Sequence, residues 1–87
     1  MDQIKLNSEI NLEFGDEKAI LFDGRMGKAY RLNDTAAVIL KVLTKTSKTE
    51  YMVSELVEKF NVNEEEAEKD VRQFLYQLTK LNLVRVE

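Results

Sequence analysis

Between Ile10 and Phe14 the chain alternates, with Ile10, Leu12 and Phe14 on one side and Asn11 and Glu13 on the other. A period of two marks a strand with one face on a core, because successive side chains point to opposite sides. Gly15-Asp16-Glu17 interrupts the pattern as a turn, and Lys18 to Asp23, KAILFD, follows as a second strand. Its apolar run is more continuous, which predicts a central place in the sheet. The turn Asp23-Gly24-Arg25-Met26-Gly27 offers two glycines for positive φ. Lys28 to Leu32 then forms a third strand, with Lys28, Tyr30 and Leu32 on one face and Ala29 and Arg31 on the other. Connections this short predict an antiparallel meander.

After Asn33 the period changes. Ala36, Ile39, Leu40 and Leu43 recur at helical spacing, so a first helix starts at a cap on Asn33 or Asp34 and runs to about Lys45. The polar loop TKTSKT ends it, and Thr49 is the expected next cap. A second helix carries Val53, Leu56, Val57 and Phe60 as its buried stripe. Asn63 and Glu66 have the spacing of a capping box, with Asn in place of Ser or Thr. The acidic residues beside them also complement the helix dipole. A third helix continues to about Asn82, with Ala67, Val71, Phe74, Leu75, Leu78 and Leu81 inward, and LVRV adds a short final strand. Strands first and helices after predict an α+β, winged-helix-like fold: an N-terminal three-stranded antiparallel meander and a three-helix bundle, in one domain over residues 1–87.

Composition narrows the function more than the fold. The chain has 87 residues, 44% of them apolar, which is near the lower limit for a domain held by core burial alone. With no cysteine and no histidine, it offers neither disulfides nor a thiolate zinc site, and its serines Ser8, Ser47 and Ser54 lack an imidazole base. Its three glycines never form a phosphate-cradling run before a helix. Asn61 to Arg72 faintly resembles a calcium loop, but Glu66 stands where the sharp turn needs glycine and Arg72 where the bidentate Glu belongs. No catalysis, metal or cofactor is therefore expected. The net charge of −3 counts against a nucleic-acid partner. No apolar run approaches the ~18 residues of a membrane span, and Met-Asp-Gln-Ile-Lys lacks the hydrophobic centre of a signal peptide. A monomer in the cytoplasm is the expectation.

Binding remains. The Lys28–Leu32 strand lies at a sheet edge, so its backbone groups are either a rail for an extended peptide or those of a short edge strand guarded by Lys28 and Arg31. On the third helix Asp70, Phe74, Gln77 and Leu81 line one flank at i, i+4, i+7 and i+11. Asp70 is either a hydrogen-bond acceptor for a docked chain, a solvated carboxylate or half of a salt bridge. Tyr76 points nearly opposite the core, among Lys69, Arg72 and Lys80, where it can touch a second protein.

Two motifs resemble a known family. Tyr30-x-Leu32-Asn33-x-Thr35-Ala36 and Asp70-Val71-x-x-Phe74-Leu75-x-x-Leu78, in that order, are similar to the PqqD-like family, the RiPP recognition elements, over about Glu9 to Val84. Asp23, Gly27, Tyr30, Leu32 and Asn33 look most like the stand-alone leader-binding proteins of lasso-peptide biosynthesis. The resemblance implies an adaptor without catalysis. The leader of a ribosomally made precursor would add as a strand to Lys28–Leu32 and lie against the third helix, to be presented to a leader protease or another maturation enzyme. It implies a peptide-binding set of Lys28, Ala29, Tyr30, Arg31 and Leu32 on the strand, with Asp70, Val71, Phe74, Gln77 and Leu81 on the helix. Lys28 and Arg31 would meet acidic leader residues, Asp70 would be the polar contact, and Leu32, Val71 and Leu78 would support the walls.

Three other functions compete. One is a PqqD-type chaperone delivering a precursor to a radical-SAM enzyme. Another is a winged-helix DNA-binding protein using Lys69, Arg72, Gln73 and Lys80, although Glu64, Glu65, Glu66 and Glu68 on the same helix would repel phosphates. The last is a dimerisation module that buries the edge strand against its own copy.

Overall fold

The computed structural model describes residues 3–16 and 18–87. Glu17, expected in the first turn, lies outside the described residues. In chain order the elements are β1 (Ile4–Leu6), β2 (Ile10–Phe14), β3 (Ala19–Asp23), β4 (Lys28–Leu32), α1 (Asp34–Leu43), α2 (Thr49–Phe60), α3 (Glu64–Lys80) and β5 (Val84–Val86). The expected meander is β2-β3-β4, with the most apolar strand, β3, in the centre. Its antiparallel register pairs Leu12 with Leu21 and Leu21 with Tyr30.

A second sheet was not foreseen. Ile4-Lys5-Leu6 is too short to show a period, yet it pairs antiparallel with the expected final strand, Ile4 opposite Val86 and Leu6 opposite Val84. Gln3 and Glu87 exchange backbone hydrogen bonds of 2.8 and 2.7 Å just beyond it.

The core fills the space between the inner face of the sheet and the helices. Leu21, Ile39, Leu40, Met52 and Leu56 are almost wholly buried, each such side chain contributing about 1.5–3 kcal/mol by leaving water. The α1 stripe is as expected, and Asn33 caps the helix, its side chain accepting the Ala36 N–H at 2.8 Å. Asn63 caps α3 in the same way, from the Glu66 N–H at 2.7 Å.

The α2 reading needs correction at both ends. Lys48 occupies the N-cap position without a side-chain cap, and Thr49 is already helical. Its buried residues are Met52 and Leu56, while Val53 and Val57 are half-buried and Phe60 is exposed. The core-facing line is thus shifted by one residue, and Phe60 sits at the helix end beside Asn61, which adopts φ 54° to turn the chain.

Helix α3 stops at Lys80 rather than Asn82. Asn82 takes φ 59°, the Leu83 N–H returns to the Leu78 carbonyl at 3.0 Å, and the Asn82 N–H returns to Thr79 at 3.0 Å. This closing turn satisfies the last carbonyls and sets Leu83 against Leu78, both buried. Leu81, expected inward, falls beyond the last helical turn and is 51% exposed.

Candidate functional site

The two hairpin bonds decide which backbone groups of β4 are free. Gly15 N–H donates to the Lys18 carbonyl at 2.8 Å and Gly24 N–H to the Glu9 carbonyl at 2.9 Å, at the two ends of the β2–β3 ladder. In an antiparallel ladder a residue aims both main-chain groups at one neighbour, and the next residue aims both at the other. Counting inward from those ends, Ile20 and Phe22 bond toward β2, so Ala19, Leu21 and Asp23 bond toward β4, opposite Leu32, Tyr30 and Lys28. The N–H and C=O groups of Ala29 and Arg31 therefore point away from the sheet. No strand among the described residues pairs with that edge.

Beside the edge runs a groove of about 440 Å³ between β4, the start of α1 and one flank of α3. That volume is within the range of small-ligand pockets. Tyr30, Arg31 and Leu32 border it on the strand side, and Asp70, Gln73, Phe74, Gln77 and Leu81 on the helix side. Tyr30, Leu32 and Phe74 are half-buried and pack on the core, so their outer faces form an apolar wall. Leu21, Leu78 and Leu83 form the floor, each at most 3% exposed.

Not every expected residue is in the groove. Lys28 and Ala29 are exposed on β4 but do not line it, and Ala29 turns its side chain to the outer face of the sheet beside Phe22. Val71, at 2% exposure, is a core residue and does not line this groove. Tyr76 is 64% exposed, stands outside the groove, and carries the Lys80 ammonium 5.6 Å above its ring. Conversely, Gln73 enters the groove three residues from Asp70, a helical spacing that could have revealed it, and Asn33, Thr35 and Ala36 close it at the start of α1.

Asp70 is the carboxylate of this groove lining. It is half-buried, and it belongs to none of the salt bridges found among the described residues. The Asp23 carboxylate does the opposite. At 2% exposure it takes both Nε and Nη2 of Arg25, each at 3.0 Å, as well as the Arg25 backbone N–H. The Arg25 hydrogen bonds hold the Asp23 carboxyl below its ordinary pKa despite desolvation. Arg25 also donates to the Asn82 carbonyl at 2.7 Å and reaches that of Leu81 at 3.4 Å. The clamp ties the β3–β4 turn to the end of α3, beside the mouth of the groove. Gly27, at φ 66°, lets the chain leave this turn, whereas Gly24 is needed for space, since a Cβ there would lie 3.0 Å from the Glu9 carbonyl oxygen.

Comparisons with known proteins bear on the family and the fold. The family model for Coenzyme PQQ synthesis protein D (PqqD) matches residues 18–84. A solved lasso peptide synthetase B1, complexed with the leader peptide, is similar with a TM-score of 0.84 and 28% identity, over 95% of this chain and 98% of that one. TbiB1 in complex with the TbiA(beta) leader peptide also has a TM-score of 0.84, at 21% identity over 93% and 94% of the two chains, a likeness of fold. No curated protein matches.

Proposed function

Because the chain belongs to the PqqD family, we propose that it is a non-catalytic adaptor that binds the leader segment of a ribosomally synthesised precursor peptide and presents it to a maturation enzyme. The observation that carries this reading is the pair of open backbone positions, Ala29 and Arg31, beside a groove that holds a half-buried carboxylate, Asp70, found in no salt bridge among the described residues. An incoming antiparallel strand would bond to those two residues. Its intervening residue, opposite Tyr30, would then point into the groove between Tyr30 and Phe74. Lys28 and Arg31 suit acidic leader side chains, and Asp70, with Gln77, suits donors on the groove side. Val71 serves from behind, Leu81 frames the exit, and Tyr76, exposed outside the groove, is the candidate contact for the partner enzyme.

The lasso type of leader, with a leader protease as recipient, is favoured by the synthetase B1 likeness, which extends over nearly the whole of both chains. A second reading, delivery to a radical-SAM enzyme, is favoured by the description of the matching family model. In both, the protein is a binding module and the adaptor is read as a monomer.

The test is amide exchange with and without the leader of the cognate precursor. Protection of Ala29 and Arg31 is expected to increase sharply, with little change at Tyr30, whose amide already bonds to β3. In parallel, Asp70→Ala should weaken leader binding roughly tenfold, as expected on losing a charge-assisted hydrogen bond. Unchanged exchange at residues 29 and 31 in the saturated complex would exclude strand addition. Full affinity in a folded Asp70→Ala protein would remove Asp70 from the site.

A further inference from the structure

Helix α3 has a second groove on its other side. One step along a helix is a rotation of about 100°, so Val71 and Leu75 look away from the flank of Asp70 and Phe74. With Val53 and Val57 of α2 they floor a groove of about 840 Å³, nearly twice the volume of the one beside β4. The two valines of α2 are only half-buried. The rim is predominantly acidic: Glu50 and Glu58 on α2, Glu64 and Glu68 on α3, against a single Arg72. None of these five belongs to a salt bridge found among the described residues.

We propose that this groove is a docking site for a basic amphipathic helix of a partner protein. An apolar floor flanked by helices accepts the apolar face of a helix, and the rim then meets cations on the flanks of that face. The groove spans Glu50 to Glu58 on one side and Glu64 to Leu75 on the other, roughly 12–17 Å of helix, enough for two to three turns of a ligand helix. The same carboxylates repel phosphates, so nucleic acids do not fit. A second copy would have to bring its lysines. Lys41, Lys45 and Lys59 surround a smaller groove between α1 and α2, but such a contact joins two unlike faces and leaves one of each open. Because this groove and the β4 groove lie on different flanks of α3, the proposal does not depend on strand addition.

The probe is an amphipathic 14-residue peptide of leucine and lysine, with a leucine–glutamate peptide and a lysine-only peptide as controls, followed by backbone amide shifts and fluorescence anisotropy. The leucine–lysine peptide should bind below about 100 µM at ~50 mM salt and shift amides around Val53, Val57 and Val71 rather than Ala29 and Arg31. Neither control should match it. Glu58→Lys with Glu68→Lys should weaken it roughly tenfold or more, and Val53→Thr with Val57→Thr, which keeps side-chain shape, should weaken it as well. Glu58 lies in the last turn of α2, where lysine favours the helix dipole, and Glu68 is exposed on α3, so neither reversal removes a buried contact. Several results would overturn the proposal: no binding, equal binding of the lysine-only peptide, shifts confined to other surfaces, or indifference to both double variants. So would concentration-dependent self-association that the charge reversal abolishes, since it would give the face to a second copy.

Discussion

At the scale of single residues, the fold places two carboxylates in contrasting settings. Asp70 is half-buried and belongs to none of the salt bridges found among the described residues. Asp23 is engaged within the chain, chiefly by Arg25. That second carboxylate gives a pH signature. Its pKa is lowered in the folded protein, so it contributes stability above the unfolded value of about 3.9, and this contribution is lost as pH falls through the lower folded value. Urea midpoints of the parent should therefore drop on acidification below about pH 4. Asp23→Asn should start from a lower midpoint at neutral pH and lose less over the same acidic range. Parallel pH profiles for the two proteins would show that the Asp23–Arg25 pair does not act on stability. The sequence alone marked Asp23-Gly24-Arg25 as a turn, because a bidentate pair two residues apart leaves no periodic trace, and the Asn82 carbonyl that Arg25 also holds lies 57 positions away.

At the scale of elements, legibility follows period and caps. The 3.6-residue spacing of α1, and of α3 from Ala67 to Leu78, matches the buried positions. The alternation of Ile10–Phe14 marks the strand but not its burial throughout, since Phe14 at the strand end is exposed. β1 was invisible because three residues show no period, and its pairing with β5 is a matter of tertiary contact. In α2 the apolar residues outnumber the core positions. Met52 took the interior place, and Val53 and Val57 were left to floor a groove that the sequence presented as core. The groove beside β4 was largely legible through the edge strand and the Asp70 flank, but its two open amides needed the hairpin bonds. Asn33 joins these levels, since it ends β4, caps α1 and borders the groove. Asn33→Ala should cost about 1 kcal/mol in urea unfolding, the usual loss for an N-cap side chain. A cost of no more than a few tenths of a kcal/mol would show that solvent satisfies the first turn of α1 equally well.

At the scale of the whole molecule, charge separates the surviving functions. A winged-helix frame is compatible with DNA binding, and α3 does carry Lys69, Arg72, Gln73 and Lys80. Yet its first turn presents Glu64, Glu65 and Glu66, Glu68 follows on the rim of the α2–α3 groove, and the chain as a whole carries −3. Phosphate binding depends on releasing counterions from clustered cations, and a helix that starts acidic opposes it at the end that would enter a groove. The lysines that do gather on one face, Lys41, Lys45 and Lys59, stand between α1 and α2 rather than on α3. The protein should therefore pass through heparin without retention at about 150 mM salt and leave duplex DNA unshifted. Retention that declines with salt, and that Arg72→Ala with Lys69→Ala abolishes, would return α3 to a nucleic-acid role. In its absence α3 is best understood as the shared wall of two grooves. One runs beside the unpaired edge of β4, the other carries the acidic rim proposed to receive a helix, and the two lie on different flanks of α3.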